Sequence, residues 1–367
     1  MPWLIRVALT PSAVFLSVLF GGAFGSGREV VQFMTRHGPA GGFVSMAVIA
    51  AVYAICLALS FELARLYRTY EYRGFFRLLL GRGWVVYEVV ITLTVITALA
   101  ICASSSGAVL NSRFGLPSLA GGVILLLLVV ALNYGGREMV ERSMVYSVAA
   151  LAAILAVLLA IVLGSHGAGL ERAFDCGSSF PGAFGDGLKY AITNTGFIPL
   201  LLFCGSHLQT RAETMTAGLI AGLVGMAPAV CFHLTFLVGY PQVLGEALPT
   251  YFMIEALTSP EFLDAYVLVL FIMIAQTGVG VLHGAIERID TWMQQRTGAP
   301  MNKRGHAVLA GAALVSSTAL ASVGLVDLIA QAYAYLSILF ALIYVVPLLT
   351  IGTIRILKAP DRQYASP

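Results

Sequence analysis

Four ionisable residues stand inside otherwise apolar runs of this chain: Glu29, Glu88, His233 and His283. A titratable side chain at membrane depth is costly and marks proton relays, ion sites or substrate contacts by default. A carboxylate there can take up a proton or balance a cation, and an imidazole titrates near neutral pH. Each also has a plainer use: a lone histidine as hydrogen-bonded structure, Glu88 as a contact with cytoplasmic water, Glu29 as a helix cap. Gln276, Gly280, His283 and Glu287 recur at intervals of four, three and four, which places them on one helix face beside Thr277. Asp327, Gln331 and Tyr335 form a similar stripe, and such stripes are expected to face the interior or a water path.

Two further stretches offer backbone rather than side-chain chemistry. In "GGAFGSGREVVQF", residues 21 to 33, Gly21, Gly22, Gly25 and Gly27 fall within seven positions and Arg28–Glu29 follow at once. In "YAITNTGFIPLLLFCG", residues 190 to 205, Asn194, Thr195 and Gly196 sit in mid-run and Pro199 removes a backbone donor. Freed N–H and C=O groups suit a small polar ligand or ion. Covalent chemistry has no comparable support. The six histidines show no H-x-x-x-H spacing and no Ser–His motif. The five cysteines (Cys56, Cys102, Cys176, Cys204, Cys231) show no C-x-x-C, and the glycines form no phosphate-binding loop. No enzyme, metal centre or organic cofactor is expected; bound Na+ or coupled H+ is the only candidate for one.

The elements that must position these residues are membrane helices. Only 11% of the chain is charged, against about 25% in soluble proteins, 59% is hydrophobic and the mean hydropathy is +0.90. The apolar runs are long enough to cross a bilayer, and strand-like alternation is missing. Ten spans are expected, near 10–35, 42–67, 84–110, 117–133, 140–164, 186–205, 214–239, 262–285, 306–323 and 325–356, the last two divided at Gly324. Arg6 and the run after it suggest a signal peptide, but the small-x-small cleavage site is poorly formed. With both termini inside, sixteen of the 21 Lys and Arg lie on the cytoplasmic side. The basic residues lack aromatic interleaving, so no nucleic-acid partner is expected.

Four closely spaced glycines make an unbroken helix at 21–27 improbable, at about 1 kcal/mol each. Ser26-x-x-Glu29 then has the capping-box spacing of a new helix start. Such a glycine cluster also serves close helix packing. A matching interruption in span 6 favours the other reading. Span 6 opens the second half of a five-plus-five chain, and five being odd, that half enters the membrane inverted. Paired breaks in inverted halves are the best sequence pointer to a transporter's binding site.

With ten spans and breaks in the first and sixth, the chain resembles the LeuT-type fold of the amino acid–polyamine–organocation superfamily. The stretch "GGAFGSGREVVQFMTRHG" is similar to the first-helix signature of the YkvI-like bacterial membrane proteins. The resemblance implies an all-α, single-domain transporter of the cytoplasmic membrane, with inverted repeats at about 8–165 and 180–357. It implies alternating access for a small zwitterionic solute, an amino acid or related amine, enclosed by spans 1 and 6. Carried over by position, Gly22, Ala23, Phe24, Gly25, Ser26, Gly27, Asn194, Thr195 and Gly196 meet the ligand, and Phe197 forms an aromatic lid. Glu29, Glu88, Gln276, Thr277 and His283 are the candidates for ion or proton coupling. Sodium-coupled members use two neighbouring hydroxyls in span 8, where this chain has Thr277 alone, so H+ is favoured over Na+. A channel for small solutes or ions, and a sensor that keeps the transporter fold, are the rival expectations.

Overall fold

The computed structural model describes residues 2–19, 22–135, 137–175, 177–298 and 301–359, and among these it is helical with no strand. Gly21, Cys176 and Arg362 lie outside the described residues.

Span 1 enters as a π-helical turn, Ile5–Leu9, and continues as α1 (Thr10–Leu19), α2 (Gly22–Gly25) and α3 (Arg28–Phe33). Span 2 is α4 (Gly38–Tyr67). An amphipathic helix that the span count omits, α5 (Tyr72–Leu80), follows it and buries Phe75, Phe76 and Leu79. Spans 3 and 4 are α6 (Val85–Phe114) and α7 (Ser118–Gly135). Span 5 is α8 (Arg137–Ser165), which meets α9 (Gly167–Phe174) at 82°. Span 6 is α10 (Phe180–Thr195) and a 3-10 segment, Ile198–Gly205, set at 61° to it. Span 7 is divided into α11 (Arg211–Val224) and α12 (Ala227–Val238), and the loop after it carries α13 (Pro249–Leu257). Spans 8 and 9 are α14 (Pro260–Thr297) and α15 (Lys303–Ala321). Span 10 is α16 (Leu325–Phe340), prolonged by π-helical Ala341–Val345 and Leu348–Gly352 to α17 (Thr353–Lys358).

By length and composition, five of the described helices can cross a membrane, or seven if each bent pair is one span. Ile5–Leu19 and Ser118–Asn133 are shorter apolar helices. The expected split of spans 9 and 10 falls at Gly324, whose φ of +95° favours glycine.

Small residues let the helices approach. A Cβ at Gly218 would lie 2.4 Å from the Ala58 nitrogen, and one at Gly222 would lie 2.6 Å from the Ala54 nitrogen. The pair Gly218-x-x-x-Gly222 on α11 thus packs flat on Ala54-x-x-x-Ala58 of α4, the small-residue packing of membrane helices. Close packing at glycine is thus seen in span 7, and in span 1 a Cβ at Gly25 would lie 3.1 Å from the Leu270 side chain.

The polar stripe of span 10 does not face the interior. Asp327, Gln331 and Tyr335 are exposed, Tyr335 by 70%, while Ile329, Tyr333, Leu336 and Phe340 turn inward. These apolar and aromatic residues recur at helical spacing and win the interior face, which carries Asp327, Gln331 and Tyr335 outward. In span 8 Gln276 is buried, His283 is half-buried and Glu287 is exposed, so that stripe runs from the interior to the surface.

Candidate functional site at the two helix breaks

Span 1 breaks at Ser26–Gly27. Gly25 still belongs to α2, and Gly27 caps α3 with φ +80°. A Cβ on Gly27 would stand 2.4 Å from the Phe236 ring and 2.5 Å from the Thr250 hydroxyl, so conformation and space both require glycine. The Ser26 hydroxyl accepts from the Arg28 N–H at 3.3 Å. The expected capping box does not form, because Gly27 is the cap and makes no side-chain cap bond, and Glu29 turns elsewhere.

The carboxylate of Glu29 accepts a hydrogen bond from the Tyr190 hydroxyl on Oε2 at 3.0 Å and from the Tyr333 hydroxyl on Oε1 at 2.7 Å. Glu29 is only 5% exposed. The two phenol rings stack at 5.6 Å and 8°, and Phe33 leans on both at 5.3 and 5.0 Å. The Asn194 amide donates to the Tyr190 carbonyl at 3.0 Å. One carboxylate therefore joins span 1, span 6 and span 10.

Span 6 breaks at Gly196–Phe197, directly after the turn that carries Asn194. Its Gly196 carbonyl accepts from the Tyr87 hydroxyl of α6 at 3.0 Å. In span 1 the Gly25 carbonyl accepts from the Tyr266 hydroxyl of α14 at 3.1 Å, and the Ser26 carbonyl from the Thr250 N–H at 3.1 Å. Broken backbone within a membrane needs such partners. A carbonyl oxygen has two lone pairs, so such a group can serve a donor and a ligand or ion together.

The loop after span 7 folds over the span 1 break. Arg28, which is buried, donates to the Leu244 and Glu246 carbonyls at 3.0 and 2.9 Å and to the Gln32 side chain at 2.5 Å. With Val31, Gln32, Arg36 and Leu244 it lines a cavity of about 430 Å³.

The other sequence candidates are distributed as follows. Gly22 and Ala23 form the first half of α2. Phe24 is buried edge-on against Phe232 at 5.5 Å, and Gly25 faces Leu270. Asn194, Thr195 and Gly196 lie at the span 6 break, although the Thr195 hydroxyl donates to the Ile192 carbonyl of its own helix at 2.7 Å. Phe197 is half-buried beside them. Thr277 likewise donates back to the Met273 carbonyl at 2.9 Å, and Gln276 is buried next to it.

His283 pairs with Glu287 at 2.8 Å, and Glu88 accepts from the Tyr72 hydroxyl at 2.8 Å and from Arg73 at 3.3 Å. Neither is part of the Glu29 cluster. Nor is His233, whose Nε2–H donates to the Pro39 carbonyl at 3.0 Å. Its Nδ1 is then left to accept from the Thr35 hydroxyl at 3.0 Å. Tyr87, Tyr190, Tyr266 and Tyr333 were not legible as site residues. Their only signal is a hydroxyl within an apolar run, and Tyr333 lies one face away from the Tyr335 stripe.

No family model matches the sequence, and no curated protein matches it. Solved structures do match. The structure of MhsT in complex with L-phenylalanine superposes with a TM-score of 0.64 at 15% identity, over 96% of this chain and 98% of that one. A manganese transporter from Eremococcus coleocola aligns at TM-score 0.54 and 13% identity, over 95% of this chain and 79% of its own. A Na+-coupled sialic acid symporter in its substrate-bound outward-open state aligns at 0.51 and 13%, over 97% and 98%. Identities this low speak for architecture alone: the chain has the LeuT-type fold found in these transporters.

Proposed function

We propose that the chain is a secondary transporter that moves a small zwitterionic solute, an amino acid or related amine, across the cytoplasmic membrane by alternating access. One observation carries this reading. Spans 1 and 6 are both broken, at Ser26–Gly27 and Gly196–Phe197, and the Glu29–Tyr190 bond ties the segments beside the two breaks together. A solute seated there contacts both segments, and closing either side of the molecule alters their relation. The names of the similar structures, which include amino-acid, sialic-acid and manganese complexes or carriers, agree with transport and not with one substrate. The coupling ion is H+ or Na+.

The test is ligand-induced thermal stabilisation of purified protein, followed by uptake into proteoliposomes. The panel is amino acids, amines and organic cations, with and without sodium, at two pH values. A stabilising solute whose effect is lost in Gly25→Leu and Asn194→Ala, and whose uptake saturates and exchanges, supports the reading. Stabilisation untouched by both substitutions overturns the site. Uptake that neither saturates nor exchanges points to a channel, and solute binding without uptake points to a sensor.

A further inference from the structure

The carboxylate that links the breaks has an unusual surrounding. Both oxygens of Glu29 accept from neutral phenols, and among the described residues no basic side chain forms an ion pair with it. Its neighbour Arg28 sends its guanidinium to the Leu244 and Glu246 carbonyls and to Gln32. From α4 the group facing it is Tyr53, and from α6 it is Cys102; from α10 and α16 come Tyr190 and Tyr333. On α12 the ring of His233 is engaged by Thr35 and the Pro39 carbonyl, and on α13 Glu255 is exposed. Asp327, at the start of α16, acts on Arg28. On the Thr35–His37 turn Arg36 and His37 face Asp186, so among the described residues no positive charge from these elements pairs with the carboxylate.

A carboxylate buried without a cation is costly, and two neutral hydrogen bonds offset only part of that cost. A proton removes the charge, but the acid then has an O–H to place. The Tyr53 hydroxyl of α4 is fully buried and has no partner, so it has lone pairs to offer a proton donor. The two phenols donate to the ionised carboxylate, and the unpartnered Tyr53 hydroxyl is an acceptor that an acid could use.

We propose that Glu29 is the proton carrier of the transport cycle, taking one H+ from water on one side and releasing it on the other, with Tyr190 and Tyr333 stabilising the ionised form and Tyr53 accepting from the acid. The step is a proton binding: one O–H bond forms at a Glu29 oxygen as a hydronium ion becomes water, and the reverse occurs at release. The coupling role rests on the transporter reading of the same site. The proton site itself does not, and the experiment separates them.

Infrared difference spectra of the reconstituted protein between acid and alkaline pH report the site without any solute. The expected result is a carbonyl stretch of a protonated carboxylic acid that is present in the wild type, missing in Glu29→Gln and shifted in Tyr53→Phe. In Tyr333→Phe the pH midpoint of that band moves upward, because the ionised form has lost a donor. A spectrum identical in wild type and Glu29→Gln overturns the proton site, whatever the protein transports. Tyr333→Phe keeps the carboxylate and so serves where Glu29→Gln does not fold.

In proteoliposomes with the membrane potential clamped, a one-unit pH gradient is expected to give about tenfold solute accumulation for one coupled proton. Glu29→Gln is expected to abolish that accumulation while keeping solute exchange. Accumulation driven by sodium at equal pH and lost in Glu29→Gln overturns the assignment in favour of sodium. Loss of exchange as well as accumulation overturns it in favour of a substrate ammonium at Glu29. Absence of any solute flux with the infrared band intact rejects transport and leaves the proton site standing.

Discussion

At the residue scale the sequence pattern and the structure part company at Ser26 and Glu29. The S-x-x-E spacing is real, but a pattern of four residues sees only its own turn. The partners that win the glutamate come from 161 and 304 positions away, and a phenol in an apolar run carries no local mark of such a contact. Gly27 was legible as a break residue, and the reason proves double. Its φ of +80° costs a side chain on the order of 1–3 kcal/mol, and Phe236 and Thr250 leave no room for a Cβ. Gly27→Ala is therefore expected to lower thermal stability by more than that strain alone. Thermal unfolding in detergent, against Gly311→Ala as a control, checks it. At Gly311 a Cβ meets nothing within 4 Å, and alanine is expected to stabilise α15 by about 0.5–1 kcal/mol. Equal behaviour of the two variants would remove the argument for Gly27.

At the element scale, apolar length located the helices well, because burying a run in lipid is a property of the run itself. What it missed are features set by neighbours. The division of span 7 at Gly225–Met226, the short helices α5, α9 and α13, and the inward face of span 10 all depend on what packs alongside. Span 10 shows why: Asp327, Gln331 and Tyr335 share one face, but so do Ile329, Tyr333, Leu336 and Phe340. The apolar set claims the interior. The contact of α11 with α4 gives an element-level prediction. Gly218→Leu places a side chain where even a Cβ would lie 2.4 Å from the Ala58 backbone. Overpacking of this kind costs about 1–3 kcal/mol or more, so the variant is expected to unfold at lower temperature, whereas Gly164→Ala, with open space around it, is not.

For the whole molecule, the distribution of basic residues predicts both termini in the cytoplasm. Reporter fusions at each end check this, and a periplasmic signal at either end would refute it. The same orientation puts the loop after span 7 on the outer side, where Arg28 binds the Leu244 and Glu246 carbonyls and the Thr250 N–H donates to the Ser26 carbonyl. Sequence inspection gave no sign of this cover, since its contacts are to backbone carbonyls that any residue provides. In an alternating cycle such a cover must release, and an equilibrium between two states moves only by the difference in their contacts. Removing the guanidinium in Arg28→Met deletes bonds made in the covered state, each worth about 1.5–3 kcal/mol when one partner is charged. The Thr250 amide is then expected to exchange with deuterium faster, together with the rest of residues 244–252, while the α4–α11 contact stays protected. Faster exchange in both regions would mean general loosening rather than release of the cover. No change in either would show that Arg28 does not hold it.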